Sequence, residues 1–330
     1  MTEVSVIVPV YGVEKFIARC ARSLMEQTQW RRAEFIFVDD ASPDSSMRIL
    51  REVLAEYPDR CATILTHHAN LGLPAARNTG LAAASGEYVM HVDSDDFIES
   101  DTIETMLSAA RRDDADFVWA DWWLDFGDRR RYMSQPDAKD AAEATRLMLA
   151  GAMKYNVWNK LYRRSLHYRC GGISFPAGQS MGEDMTMIML CAAARQVTYV
   201  PKALYHYMKL NSGALTADYS DRRLDELRRN VNRTVGFLTD NFGSRFTADI
   251  PLFKLSVKYP FLLLSDFRKG YSLWRGWYPE ADEAIGRNPY AGRREILVQR
   301  WAVNGHRRLL RAYRFMLLKI YYGIIYRQSI

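Results

Sequence analysis

Gly86-Glu87-Tyr88-Val89-Met90-His91-Val92-Asp93-Ser94-Asp95-Asp96 decides how this chain folds. Tyr88 to Val92 is apolar, aromatic and β-branched, and a glycine leads into it, which predicts a short buried strand. Three carboxylates follow within four residues. On an extended backbone residues i and i+2 share a direction, so Asp93 and Asp95 are expected to project together from the strand end. Like charges held that close repel unless a cation sits between them. Oxygen-only ligation suits a hard ion, Mn²⁺ or Mg²⁺, which keeps positions open for phosphate oxygens. The plainer reading is a solvated loop, with Asp96 capping a helix over Phe97 to Ala110.

Upstream of this strand the chain repeats one rhythm. Val4 to Tyr11 reads as a buried strand that Pro9 brings to an end. Val13 to Gln29 reads as a helix, with Phe16, Ile17, Cys20, Leu24 and Met25 on one face. Glu34 to Val38 is a second apolar strand. The polar turn Asp39 to Asp44 then leads into a helix over Ser45–Tyr57. Thr63 to Thr66 is a third strand, Asn70 to Pro74 a loop, and Ala75 to Ala84 a helix of small residues. Apolar rather than alternating strands, separated by helices, predict an α/β fold whose parallel sheet is covered on both faces.

In such sheets ligands bind beyond the carboxyl ends of the strands. Pro9 and Tyr11, Asp39 and Asp40, Asn70 and Gly72, and Asp93 and Asp95 all stand at those ends. Tyr11 offers an aromatic face to a base, and Asp40 an acceptor for a base N–H. Arg77 and Asn78 are within reach of a ribose or phosphate. Each has a plain alternative: Tyr11 as a core aromatic, Asn70 and Gly72 as turn residues. The chain lacks G-x-G-x-x-G after its first strand and lacks G-x-x-x-x-G-K-[ST], which removes the dinucleotide and P-loop solutions.

With 330 residues, 48% hydrophobic and 25% charged, the chain has the make-up of about two ordinary globular domains. Its four cysteines, Cys20, Cys61, Cys170 and Cys191, are scattered, which supports neither zinc nor a disulfide framework. No secretory signal and no membrane-spanning run is expected, so a cytoplasmic protein is. The formal charge of +6 is concentrated at one end: residues 287–330 hold ten Lys/Arg and one Glu, so the remainder is net acidic.

The ordered set Val8-Pro9-Val10-Tyr11, Val38-Asp39-Asp40-Ala41-Ser42-Pro43-Asp44, Asn70-Leu71-Gly72, Ala76-Arg77-Asn78-Thr79-Gly80 and Gly86…Asp96 resembles the N-terminal half of bacterial family 2 glycosyltransferases. The match covers about residues 3–100 and extends more weakly to about 215. Gly12 stands where that family usually has Asn. The resemblance implies an inverting enzyme of GT-A fold, Rossmann-like, with a mostly parallel sheet carrying helices on both faces. It implies a glycosyltransferase domain over 1–215, its nucleotide-sugar half about 1–100 and its acceptor half about 101–215. Pro9, Tyr11 and Asp40 would then hold a nucleobase, usually uracil. Asn70, Arg77 and Asp93 would lie near the uridine, and Asp95, backed by Asp93, would bind Mn²⁺ or Mg²⁺.

Further along, Val157-Trp158-Asn159-Lys160-Leu161-Tyr162 resembles a segment common in capsule and exopolysaccharide members of the family. Gly182-Glu183-Asp184 resembles the pair whose Asp is the family's catalytic base. It also suits the N-terminus of a helix over Met185–Ala194, where acids are favoured. Tyr205-His206-Tyr207…Asn211-Ser212-Gly213 falls where relatives place a loop over the diphosphate. Lys160, His206 and Ser212 are therefore candidate phosphate-side residues, with a packed histidine as the plain reading of His206. Trp119, Trp122, Trp123 and Trp158 fit sugar stacking, and fit the core better.

Residues 216–330 read as a helical C-terminal region. Asp221 to Asn241 is amphipathic, and Asp266 to Pro289 is expected to be loops broken by Gly and Pro. At about 100° per residue, Arg307, Arg308, Arg311, Arg314 and Lys319 gather on one side of a terminal helix. Leu309, Tyr313, Met316, Leu317, Ile320 and Ile324 gather on the other. Such a helix suits the anionic inner face of a cell membrane, where each basic residue contributes about 1 kcal/mol. A core-facing helix or a dimer contact fits as well, and the oligomeric state stays open. Nucleic acid fits poorly, because the cations accompany a wide apolar face.

The expected function is metal-dependent transfer of a sugar, with inversion, from a nucleotide diphosphate, UDP first with GDP and dTDP as the alternatives, to a hydroxyl of a glycan or lipid-linked glycan in surface polysaccharide synthesis. Asp184 would take the proton of the attacking hydroxyl. The alternative is a catalytically silent sugar-nucleotide-binding or scaffold protein at the membrane, against which the intact carboxylates argue.

Overall fold

The structure is a computed structural model and describes residues 2–209 and 219–317. Its nine strands form one sheet in the order β3-β2-β1-β4-β8-β6-β9-β5, with β7 paired to β6. The strands are β1 (Val4–Val10), β2 (Ala33–Asp39), β3 (Ala62–Thr66), β4 (Tyr88–His91), β5 (Phe97–Ile98), β6 (Phe117–Asp125), β7 (Arg130–Met133), β8 (Lys160–Arg163) and β9 (Val197–Met208). β1 to β4 pair in parallel, as the apolar strands of the N-terminal half predict. β8 then joins antiparallel to both β4 and β6, and β9 runs parallel to β6.

All seven residues of β1 are buried because the strand is central and covered on both sides. Helices α1 (Ile17–Met25), α2 (Ser46–Ala55) and α4 (Thr102–Arg112) pack one face, where Val4, Val6, Val8 and Val10 meet Ile17, Leu24, Leu50 and Val53. The other face receives α3 (Leu73–Ala83). Burying a side chain of this size is worth about 1.5–3 kcal/mol, so a continuous apolar layer carries the stability of this half.

Pro9 lies inside β1 rather than ending it. Val10 C=O accepts from Asp40 N–H on the β2 side, whereas Ile7 C=O accepts from Val92 N–H on the β4 side. Pro9, two residues after Ile7, therefore faces β4 beyond the last paired residue, His91, where no ladder bond needs an N–H.

Two expectations are corrected here. Phe97 and Ile98 are not helical. They form β5, pairing with His206 and Tyr205 of β9, and the helix begins only at Thr102. Asp96 caps no helix. Its carboxylate accepts from Tyr205 O–H and Met208 N–H, both at 2.7 Å, and ties the end of β4 to β9. The stretch after Asp266 holds a helix, α9 (Phe267–Gly276), capped by the Asp266 carboxylate, which accepts from the N–H groups of Arg268 and Lys269. Gly270 reads as a breaker in sequence, yet it is the close-approach point. A Cβ there would lie 2.2 Å from Phe261 O.

The chain divides into two compact units, Met1–Thr145 with Lys154–Asn241, and Arg146–Met153 with Phe242–Ile330. The first contains the whole sheet, the start of α5 (Ala141–Leu149), α6 (Thr186–Ala193) and nearly all of α7 (Asp221–Phe242). The second is helical: α8 (Ile250–Lys258), α9, α10 (Arg293–Val303) and α11 (Arg307–Phe315). Among the described residues no helix is long and apolar enough to cross a membrane.

Candidate active site

The carboxyl ends of β1 to β4 lie along one edge, and the sequence there is polar for that reason. Just past β1, Tyr11 is 49% exposed, so its ring is a surface and not a core aromatic. Gly12 N–H donates to Ser42 Oγ and Val13 N–H to Ser46 Oγ, which locks the turn after β1 to the turn after β2. Asp40 is buried. It accepts from the N–H groups of Leu71 and Gly72, each at 2.8 Å, and meets His67 Nδ1 at 2.7 Å. Three of its roughly four lone-pair sites are engaged. The acid expected to face a base therefore also pins the Asn70–Gly72 loop. Gly72, at φ +89°, makes the turn that aims both N–H groups at it and opens α3. Asn70 is exposed on that loop.

α3 carries Arg77 into the interior, where it is 1% exposed. Its Nη2 donates to Asp93 Oδ1 at 2.9 Å, and its Nε lies 3.4 Å from Glu183 Oε1. Asn78, next on the helix, does not face a ligand. Its amide makes a reciprocal pair with Phe175, Nδ2 donating to the carbonyl at 2.9 Å and Oδ1 accepting from the N–H at 3.0 Å. This pairing brings the 173–185 segment against α3. Glu183 and Asp184 sit in the 3-10 turn Glu183–Met185 that leads into α6.

This convergence of charge away from water perturbs Arg77, Glu183 and Asp184. Burial pushes Glu183 up to about 7, against the pull of Arg77 and with help from Asp184 and Asp93. Burial likewise lifts Asp184 to about 6, with Arg77 opposing. Burial alone would weaken the Arg77 charge, but Glu183 and Asp93 outweigh it and hold the guanidinium more firmly protonated than usual.

Asp93 and Asp95 are both part-buried, but not as alternating residues of a strand. β4 ends at His91, and Asp96 N–H donates to Asp93 C=O at 3.0 Å, closing a turn. The i, i+2 argument from extended backbone is thereby corrected. Among the described residues, no three His, Cys, Asp or Glu side chains assemble as a ready-made metal cage. A pair of turn carboxylates still fits Mg²⁺ or Mn²⁺, which take one or two carboxylates and complete their shell from water and substrate phosphates.

The remaining candidates fall into two groups. Lys160 is fully buried, its Nζ donating to Lys154 C=O at 3.0 Å and to Asn159 Oδ1 at 2.5 Å. Burial pushes it down to about 7, with Cys191 and Asp184 pulling the other way, so it shares the field of Asp184. His206 belongs elsewhere. It stacks on Phe97, with centroids 4.0 Å apart, and its nitrogens meet Glu99 at 2.9 Å and Asp125 at 3.3 Å. None of these partners is another candidate. Ser212 lies outside the described residues. Trp119, Trp122 and Trp158 are buried in the core, and Trp123 is half-buried.

Two residues escaped sequence reasoning. Tyr205 O–H, besides donating to Asp96, accepts from Asp93 N–H at 3.1 Å. Only the sheet order, which lays β9 beyond β4, brings it there. Glu183 had a signal, its place beside Asp184, but nothing local shows that it turns inward to Arg77.

The glycosyl transferase family 2 model matches residues 5–177. The chain is 32% identical over 246 residues to EpsH of Bacillus subtilis (strain 168), a protein named as a glycosyltransferase, covering 72% of this chain and 70% of that one. Among solved structures, S. aureus TarS 1-349 in complex with UDP-GlcNAc superimposes with a TM-score of 0.73 at 20% identity, covering 95% of this chain and 92% of that 1-349 fragment. The mannosyltransferase PcManGT of Pyrobaculum calidifontis, in complex with GDP-Man and Mn²⁺, gives a TM-score of 0.55 at 18% identity, covering 99% and 88%. These likenesses establish the fold, and the family match over more than half of the chain establishes the rest: the protein is a glycosyltransferase that belongs to glycosyl transferase family 2.

Proposed function

We propose that this enzyme moves a sugar from a UDP-sugar, with inversion and with a divalent cation, to a hydroxyl of a glycan or lipid-linked glycan in bacterial surface polysaccharide synthesis. The observation that carries the reading is the meeting of Asp93, Arg77, Glu183 and Asp184 at one end of the parallel strands. Tyr11 presents an exposed ring for the base, and Asp40 holds the loop that would close over it. Asp184, lifted to about 6, is deprotonated at neutral pH yet basic enough to accept a hydroxyl proton. Asp95 and Asp93 would hold Mn²⁺ or Mg²⁺, which when bound supplies positive charge for the departing diphosphate. UDP is preferred over GDP because a UDP-sugar occupies the structural neighbour with the higher TM-score.

The place of action is the inner face of the cell membrane. On α11 and the two residues that follow it, Leu310 and Leu317 are buried, while Leu309, Phe315 and Met316 stay 47%, 63% and 47% exposed beside exposed Arg308 and Arg311. The surface helix therefore shows cations and bulky apolar groups together, the combination that seats on anionic lipid. Lys319, Ile320 and Ile324 lie outside the described residues.

The test is UDP release from a panel of UDP-sugars, with Mn²⁺ and with EDTA, by wild type and Asp184→Asn. Release that needs both the cation and Asp184 supports the reading. Unchanged turnover in EDTA, or by Asp184→Asn, refutes it.

A further inference from the structure

The Arg77 guanidinium is shared between two acids that belong to different parts of the site. Asp93 lies in the turn after β4, on the donor side. Glu183 neighbours Asp184 in the turn before α6, on the side of the incoming hydroxyl. Arg77 and Glu183 are 1% and 6% exposed, so neither reaches ligand through solvent. The fork is only half closed. Nη2 has its bond to Asp93, but Nε and Nη1 of Arg77 and Oε2 of Glu183 are buried without a hydrogen-bond partner.

The turn holding Glu183 is gripped from two sides. α7 takes the backbone of Met181, whose N–H donates to Glu226 and whose carbonyl accepts from Asn230. α3 supplies Arg77, with Phe175 packed 5.8 Å from the guanidinium and locked to Asn78. Gly182, at φ +83°, lets the chain turn there, and a Cβ would press on Leu227, Asn230 and Met185 at 3.2–3.4 Å. A buried arginine offered a single carboxylate would draw Asp93 fully onto itself. A second carboxylate divides that pull.

We propose that Glu183 is a positioning residue that acts through Arg77: by sharing the guanidinium it sets how far Asp93 is drawn inward, and so ties the geometry of the donor pocket to the turn that carries Asp184. This rests on the donor reading above. It requires that a residue with no access to the nucleotide nonetheless controls nucleotide affinity.

The test measures UDP affinity by calorimetry in Mn²⁺, with thermal melts, for wild type, Glu183→Gln, Arg77→Lys and the double variant. Glu183→Gln keeps the shape and removes the charge. Arg77→Lys keeps the charge but has no fork to serve two acids. Each single variant is expected to weaken UDP at least fivefold. The double variant is expected to be no worse than the weaker single one, because both break the same chain of contacts. A merely structural Glu183 would lower the melting temperature and leave UDP affinity in the folded fraction unchanged, which overturns the proposal. Losses that multiply in the double variant overturn it too. Should Glu183→Gln fail to fold, unaltered UDP affinity of Arg77→Lys overturns it by itself. Wild type that binds none of UDP, GDP or dTDP removes the donor reading itself. Wild-type binding matched by both single variants removes only the role of Glu183.

Discussion

Arg77 and Asp93, 16 residues apart in sequence, meet through Nη2 and Oδ1 at 2.9 Å with the guanidinium wholly out of solvent. A charge in that position is tolerable only because acids flank it on both sides. Deleting it leaves Glu183 buried without its cation, and breaking buried pairs in this way costs about 3–5 kcal/mol. Arg77→Leu is accordingly expected to lose stability on that scale in urea unfolding at pH 8, where Glu183 is ionised. At pH 5 the protonated Glu183 needs no partner, and the loss is expected to shrink.

The acid limb of the reaction is expected to lie well above the ordinary aspartate range. Burial lifts Asp184 to about 6 and Glu183 to about 7, so the pair titrates between those values. A base must be deprotonated, and kcat/KM should fall about tenfold per pH unit below that window. A profile of kcat/KM from pH 4 to 9 reads it directly. A limb near 4 would show that burial does not lift Asp184 in the working enzyme. Asp184→Asn should retain UDP binding and lose about 10²–10⁴-fold in kcat.

Lys160 makes stability depend on alkaline pH. Its folded pKa is depressed to about 7, whereas the unfolded value is near 10.4. Between those values the unfolded chain binds the extra proton, so stability rises with pH across this window and is lost as pH falls toward 7. One such proton contributes at most about 1.4 kcal/mol per pH unit. Lys160→Met removes the group, and the difference between wild-type and variant unfolding energies should change with that slope between pH 7 and 10. A parallel pair of curves would show that Lys160 is protonated in the fold.

The α11 surface is expected to recognise anionic lipid. Wild type should co-sediment with vesicles holding phosphatidylglycerol and release at high salt, because exposed charges are screened within about 8 Å at 0.15 M. Three exposed arginines, Arg307, Arg308 and Arg311, at about 1 kcal/mol each, predict roughly a hundredfold preference over neutral vesicles. Deleting residues 306–330, or combining Arg308→Glu with Phe315→Ser and Met316→Ser, should abolish it. Equal binding to neutral vesicles would assign this surface to something other than an anionic bilayer.

Local sequence determined the N-terminal half. Continuous apolar strands such as Val4–Val10 and Phe35–Val38 need cover on both faces, and that forces parallel pairing with polar residues at the carboxyl ends. Hence Tyr11, Asp40, Asn70, Arg77, Asp93 and Asp95 were legible as candidates before any coordinates. The short β5 was not, because Phe97-Ile98 has no period of its own and becomes a strand only when β9 offers it backbone partners.

What the tertiary structure decided is which polar side chain answers which. Asp96 reads as a cap but bonds Tyr205 and Met208, more than a hundred residues away. His206 reads as either a packed histidine or a phosphate-side residue, and it stacks on Phe97 between Glu99 and Asp125. Glu183 reads as a helix start but turns to Arg77. The physical reason is common to all three. Backbone periodicity is a local property and survives in the sequence, whereas a buried polar group takes whichever partner long-range packing brings within reach, and desolvation favours that pairing.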